Sequence, residues 1–194
     1  MTNVKSICVF CGASDGKDPR HMENAIAFGK MMAERGITLI YGGGRIGLMG
    51  AVADAVMKNG GKVVGIIPAH LDDIEVGHTG LSELIVCKSM HERKVEMFKR
   101  SDAFVTLAGG LGSLDEAFEA MTLRQLGIHD TPMVFFNALG YWDKCLAMID
   151  GIIADGFARE SHKNLFTVAD TLDEIFEQLA AEPAPKFDPR EKLF

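Results

Sequence analysis

Strand-length apolar runs alternate with helix-length amphipathic stretches along most of this 194-residue chain, and no other feature restricts its fold as tightly. The runs predict strands at 6–10, 38–41, 62–67, 83–86, 103–107 and 133–136. Several are apolar at consecutive positions, which fits strands covered on both faces rather than strands with one wet face. Helical spacing of apolar residues predicts helices at 21–35, 47–59, 90–100, 114–126, 142–155 and 172–181. Repeated strand-helix-strand order builds an α/β protein around a doubly wound parallel sheet with helices on both faces. A chain of this length buries roughly 70% of its unfolded surface in one core. One domain over 1–182 is expected, followed by an extended tail over 183–194 that carries Pro183, Pro185 and Pro189.

The 21 glycines divide by position. Gly36, Gly60 and Gly61 follow helical patterns and suit C-caps, where a left-handed residue closes the helix. Three other groups each follow a predicted strand: Cys11-Gly12-Ala13-Ser14, then Tyr41-Gly42-Gly43-Gly44-Arg45-Ile46-Gly47-Leu48-Met49-Gly50, and Ala108-Gly109-Gly110-Leu111-Gly112-Ser113. In an open α/β sheet, ligands sit beyond the carboxyl ends of the strands, where such turns lead into helix N-termini with free N–H groups. Any one turn taken alone is as well explained by tight strand-to-helix geometry. Three of them at one sheet edge describe a phosphate-binding crevice.

Two familiar phosphate motifs do not fit. Gly42, Gly44 and Gly47 satisfy G-x-G-x-x-G, but the motif follows the second predicted strand, and the stretch 63–68 lacks the acid that would bind a dinucleotide ribose. An NAD(P)-dependent oxidoreductase is disfavoured on that ground. No Walker A loop occurs in the sequence.

The segment Ser89-Met90-His91-Glu92-Arg93-Lys94 opens a helix at the same sheet edge. Successive helical residues point about 100° apart, so Arg93 and Lys94 do not face one group squarely. Their plain reading is a solvated face paired with Glu92 and Glu96. Asp115 suits a dipole complement at a helix start. Glu116 is the strongest candidate for a functional carboxylate, although periodicity alone does not separate it from Glu119. The irregular stretch 69–80, which contains Glu75, reads as a surface loop beside the site.

Charge narrows the partners. With 20 Lys+Arg against 27 Asp+Glu the net charge is −7, which disfavours nucleic acid and anionic membranes as partners while leaving room for a local anion pocket. No apolar stretch approaches the 18 or so residues of a membrane span, and the first residues read as a strand rather than a signal peptide. Four scattered cysteines fit a reducing, cytoplasmic setting. Cys8-x-x-Cys11 lacks a second cysteine pair, and the six histidines lack H-E-x-x-H spacing, so no metal is expected. Most of the 11 methionines fall in helical patterns and read as core filling, with Met90 and Met121 as candidates for a base pocket. Tyr141-Trp142 is expected at a subunit contact.

Four stretches together, YGGGRIGLMG (41–50), MHERK (90–94), GGLGSLDE (109–116) and QLGIH (125–129), resemble the LONELY GUY (LOG) family of phosphoribohydrolases. Members have often been labelled lysine decarboxylases, yet nothing here beyond scattered lysines resembles a pyridoxal-phosphate site. The resemblance runs from Cys8 to about Gly156. It implies a Rossmann-like fold, usually dimeric, that cleaves the N-glycosidic bond of a nucleoside 5′-monophosphate to give free base and ribose 5-phosphate without a cofactor. Cytokinin riboside 5′-monophosphates and AMP are the substrates it implies.

Carried over residue by residue, the family motif PGGxGTxxE places its catalytic glutamate on Glu116, and its catalytic arginine falls on Arg93. Substrate-binding positions fall on Ser14, Gly43, Glu75, Lys94, Gly109, Gly110, Leu111, Gly112, Ser113 and Thr122. The chain departs from the motif twice, with Ala108 in place of Pro and Ser113 in place of Thr. The amide donors and a hydroxyl survive both changes, so phosphate binding is expected to persist while rate or preference differs. Breaking a ribosyl C–N bond builds oxocarbenium-like charge that a nearby carboxylate stabilises, the role expected of Glu116. Arg93 would bind phosphate or stabilise the departing base. A protein that binds nucleotides in the same crevice without turnover is the alternative.

Overall fold

The first strand, β1 (Ser6–Phe10), sends Ile7 and Val9 into one apolar cluster and Cys8 and Phe10 into another, so that both of its faces are buried. This is the two-sided burial that consecutive apolar residues imply. A computed structural model describes residues 4–71 and 77–181. Glu75 and the tail over 183–194 lie outside the described residues.

The other strands are β2 (Thr38–Tyr41), β3 (Val63–Pro68), β4 (Glu83–Cys87), β5 (Ala103–Thr106), β6 (Met133–Phe136) and β7 (Thr167–Ala169). They pair in the order β4-β3-β2-β1-β5-β6-β7, and every pairing is parallel. The chain winds outward from β1 through β4, then returns to the other side of β1 with β5. The fold is thus the expected doubly wound α/β sheet of Rossmann type, and its topological switch point lies between β1 and β5.

Helices α1 (Arg20–Glu34), α2 (Gly47–Lys58) and α6 (Leu172–Ala180) contribute Phe28, Met32, Val52, Val56, Ile175 and Leu179 to the cluster on one face. On the other face, α3 (Met90–Lys99) and α4 (Leu111–Gln125) contribute Met97, Ala117, Ala120 and Met121. Met121 is therefore core, not pocket. Trp142, just before α5 (Asp143–Ala154), is also core: it sits edge-on to Phe135 at 5.7 Å between ring centres. Its expected place at a subunit contact is corrected by that burial.

Helix α4 starts three residues earlier than periodicity predicts. Gly110, extended at φ −100° and ψ −155°, is its N-cap, so Leu111, Gly112 and Ser113 form the first turn. The glycines that suggested a loop hid the helix start. Strand β7 was not predicted: at three residues it is too short to announce itself, and it adds only to the outer edge of β6.

Candidate active site

Because β1 and β5 are neighbours in register, with Phe10 opposite Thr106, the turns that follow them emerge side by side. The Gly12 N–H donates to the Ala108 carbonyl at 3.0 Å and ties the two turns together. A Cβ on Gly12 would sit 3.4 Å from Gly109 Cα, so the backbones nearly touch. Above them opens a cleft of about 470 Å³. Its floor and one wall come from Gly12, Ala13 and Ser14 on the first turn and from Gly109, Gly110 and Gly112 on the second. Leu48 and Met49 enter from α2, Met90 and Arg93 from α3, and Ser113 and Glu116 from α4.

The start of α4 is the natural anion site. The first-turn N–H groups of Leu111, Gly112 and Ser113 have no carbonyl a turn back to bond, and the helix dipole is positive there. The middle glycine turn works differently from expectation. Gly43 does not line the cleft; its Cβ position faces Ile67 Cβ at 3.0 Å, beneath the strand ends. A Cβ on Gly47, at φ +60°, would overlap the backbone of Ala13 and Ser14, and a Cβ on Gly42 would overlap Arg93 Nη2. These glycines are needed for close approach: they seat the first turn and make room for the Arg93 guanidinium.

Arg93 and Glu116 face each other at the base of the cleft, Nη2 to Oε1 3.5 Å, with side chains only 8% and 10% exposed. Burial pushes the Glu116 carboxyl up to about 7, against the opposing pull of Arg93. The pair is under-satisfied. Arg93 Nε is buried without a hydrogen-bond partner among the described residues, and Nη1 has only the Met90 sulfur at 3.7 Å. A buried guanidinium with donors to spare beside a carboxylate near neutrality is an arrangement for a ligand rather than for stability.

One residue further around each helix, the chemistry changes. Lys94 bonds Asp115 at 3.0 Å and also reaches the Glu119 carboxylate. Burial opposes charge on Lys94, but the bonds to Glu119 and Asp115 outweigh it and hold its pKa above the ordinary value. The expected pairing of Arg93 and Lys94 with Glu92 and Glu96 is not what forms: Glu92 instead accepts from the Lys88 N–H at 2.9 Å, and its own N–H donates to Ser89 Oγ at 3.1 Å, capping α3. Glu116 and Glu119 are thereby separated, one in the cleft and one outside it.

Of the expected binding positions, Ser14, Gly109, Gly110, Gly112 and Ser113 line the cleft. Lys94, Leu111 and Thr122 do not. Leu111 is 86% exposed, and Thr122 donates its hydroxyl to the Phe118 carbonyl at 2.7 Å on the outer side of α4. Sequence reasoning missed Asp15, His21 and Tyr141, which also line the cleft. No spacing rule links His21 or Tyr141 to the glycine turns; only the fold brings them there. Cys8 and Cys11 are buried and form no disulfide, and burial pushes both thiols well above their ordinary range.

A family model described as "Possible lysine decarboxylase" matches residues 49–179. Pyridoxal-phosphate chemistry needs a lysine to hold the cofactor, and no lysine is among the described residues that line the cleft, so the site does not fit that group. The chain is 46% identical over 169 residues to a probable cytokinin riboside 5′-monophosphate phosphoribohydrolase of Oryza sativa subsp. japonica, covering 87% of this chain and 74% of that protein. It is 42% identical over 187 residues to a cytokinin riboside 5′-monophosphate phosphoribohydrolase of Arabidopsis thaliana, covering 96% and 86%. Among solved structures, the molybdenum cofactor binding protein from Rippkaea orientalis matches with a TM-score of 0.68 at 20% identity, covering 91% of this chain and 96% of that one. The Moco carrier protein from Chlamydomonas reinhardtii matches at 0.67 and 20%, covering 90% and 96%. Those two likenesses concern the fold alone. With a family model over most of its length and relatives above 40% identity across nearly all of it, the chain belongs to the LOG family of cytokinin riboside 5′-monophosphate phosphoribohydrolases.

Proposed function

We propose that this protein hydrolyses the N-glycosidic bond of a nucleoside 5′-monophosphate, a cytokinin riboside 5′-monophosphate or AMP, and releases free base and ribose 5-phosphate. The observation that carries this is the buried Arg93–Glu116 pair beside the unspent amides of the α4 N-terminus. The two features divide the work. The amides of the Gly110–Ser113 turn take the phosphate, which places the ribose over Glu116.

In the ionised form, Glu116 stabilises the oxocarbenium-like charge that develops at C1′ and accepts a proton from the attacking water. The water oxygen bonds to C1′ as the C1′–N bond breaks, and the departing base keeps the bond's electron pair and takes up a proton. Arg93 stands 3.5 Å from Glu116, at the reacting end. It keeps the carboxylate partly ionised near neutrality and neutralises charge on the departing base. Glu75, outside the described residues, accepts from ribose hydroxyls in this reading.

A cytoplasmic homodimer completes the proposal. Helix α5 is apolar yet has no buried residue, and Leu111 and Phe157 are 86% and 88% exposed. Exposed apolar surface of this kind marks a contact. The side chains of Lys94, Leu111 and Thr122 lie outside the cleft, so in this reading those side chains reach substrate only across such a contact.

The test is incubation of the purified protein with AMP and with a cytokinin riboside 5′-monophosphate, with chromatographic detection of base. Stoichiometric free base and ribose 5-phosphate are expected. Tight nucleotide binding with no base formed would favour the non-catalytic binding protein instead.

A further inference from the structure

Tyr141 stands out among the residues the proposed chemistry leaves unused. Its hydroxyl donates to the Gly109 carbonyl at 2.6 Å, although 32 residues separate the two in sequence. Its ring is held edge-on by His21 at 5.0 Å and by Trp142 at 4.8 Å between ring centres.

The turn that delivers Tyr141 is built at a cost. Asn137, itself buried, accepts from the Trp142 N–H at 2.7 Å and donates to Asp143 Oδ1 at 2.8 Å. The Gly140 N–H donates to the Asn137 carbonyl at 2.9 Å. Within this knot Leu139 adopts φ +65°, making it the one non-glycine residue with positive φ among the described residues. A branched side chain in the left-handed region is strained, and such strain persists where surrounding structure enforces it, often at functional sites.

From this geometry we infer that Tyr141 is a positioning residue for the phosphate-binding turn, a claim that rests on the site reading proposed above. In a trans peptide the C=O and N–H point to opposite sides, so holding the Gly109 carbonyl fixes the direction of the Gly110 N–H. The preceding carbonyl, Ala108, is likewise held by the Gly12 N–H. Two consecutive carbonyls of a glycine turn are thus capped by donors. Their lone pairs are engaged away from an anion, and the turn's amides are presented in one orientation without waiting for the ligand. Glycine peptides left free would sample many orientations, and that entropy would be lost on binding.

The experiment compares wild type with Tyr141→Phe, which removes the hydroxyl and keeps the ring. Binding of ribose 5-phosphate and of unphosphorylated adenosine is measured by calorimetry, together with Tm. Losing one hydrogen bond from the turn is expected to weaken ribose 5-phosphate about 3- to 10-fold, with adenosine unchanged within about 2-fold and Tm within about 3 °C. Equal ribose 5-phosphate binding in the two proteins overturns the inference, as does a matching loss for adenosine, which would make Tyr141 a general wall of the cleft. If wild type itself bound no ribose 5-phosphate, the site reading would fall and take this inference with it.

Discussion

Two cation–carboxylate clusters join the same pair of helices, and they differ by a single residue step. Arg93 and Glu116 meet inside the cleft with side chains 8% and 10% exposed, while Lys94 and Glu119 lie outside it and meet Asp115, a cleft-lining residue whose side chain is 58% exposed. The inner carboxyl is pushed up to about 7 by burial and stands 3.5 Å from a guanidinium with unused donors. The outer lysine is engaged by two carboxylates at once. A 100° turn of the helix thus divides an under-satisfied pair from a braced one. The lesson is that similar charge patterns in sequence acquire different surroundings from where the fold points them: the inner pair is left with unmade interactions, and Lys94, its side chain only 12% exposed, spends its own on two carboxylates.

The comparison breaks most visibly at the inner pair. Glu116→Gln and Arg93→Ala are each expected to cut base release from AMP by 10²-fold or more, measured by chromatography on folded protein. In Arg93→Ala the residual activity should also need higher pH, because the charge that lowers the Glu116 pKa is gone. A smaller loss is expected at Gly42→Ala. The new Cβ overlaps Arg93 Nη2, so the guanidinium must move, and kcat/KM should fall roughly 10- to 100-fold with a stability loss of about 1–3 kcal/mol by denaturant unfolding. At the outer cluster, Glu119→Gln should leave base release within about 3-fold and cost at most about 1 kcal/mol. A Glu119→Gln protein as inactive as Glu116→Gln would erase the distinction drawn between the two clusters.

Much of the fold was legible because two-sided burial writes itself into consecutive apolar residues. Strands β1, β2 and β6 lie where the sequence predicts them, and β3 lies one residue later than the predicted 62–67. The start of α4 was not legible, since Gly110 and Gly112 look like a loop until Gly110 is seen as an N-cap. In the site, residues carried by motif were legible, and Ser14, Gly109, Gly110, Gly112, Ser113, Arg93 and Glu116 do converge. Periodicity did not separate Glu116 from Glu119; the motif singled out Glu116, and the packing of α4 sets Glu116 in the cleft and Glu119 outside it. Tyr141 and His21 were invisible as site residues: their place in the cleft depends on a strained turn and on helix α1 closing over the β1 end, which no local pattern encodes.

The central claim is that Glu116, buried beside Arg93, acts as a carboxylate with a pKa near neutrality. Its most direct test is the pH dependence of kcat/KM for base release from AMP, compared between wild type and Glu116→Gln. Since the ionised form does the work, wild-type activity should rise with pH through a midpoint close to 7, the value to which burial pushes Glu116. The substrate phosphate titrates near 6 in both proteins, so the rise near 7 is the part that Glu116→Gln should lose. A wild-type rise centred near 4.5, the ordinary value for a glutamate, or an unchanged rise in Glu116→Gln, would contradict the account.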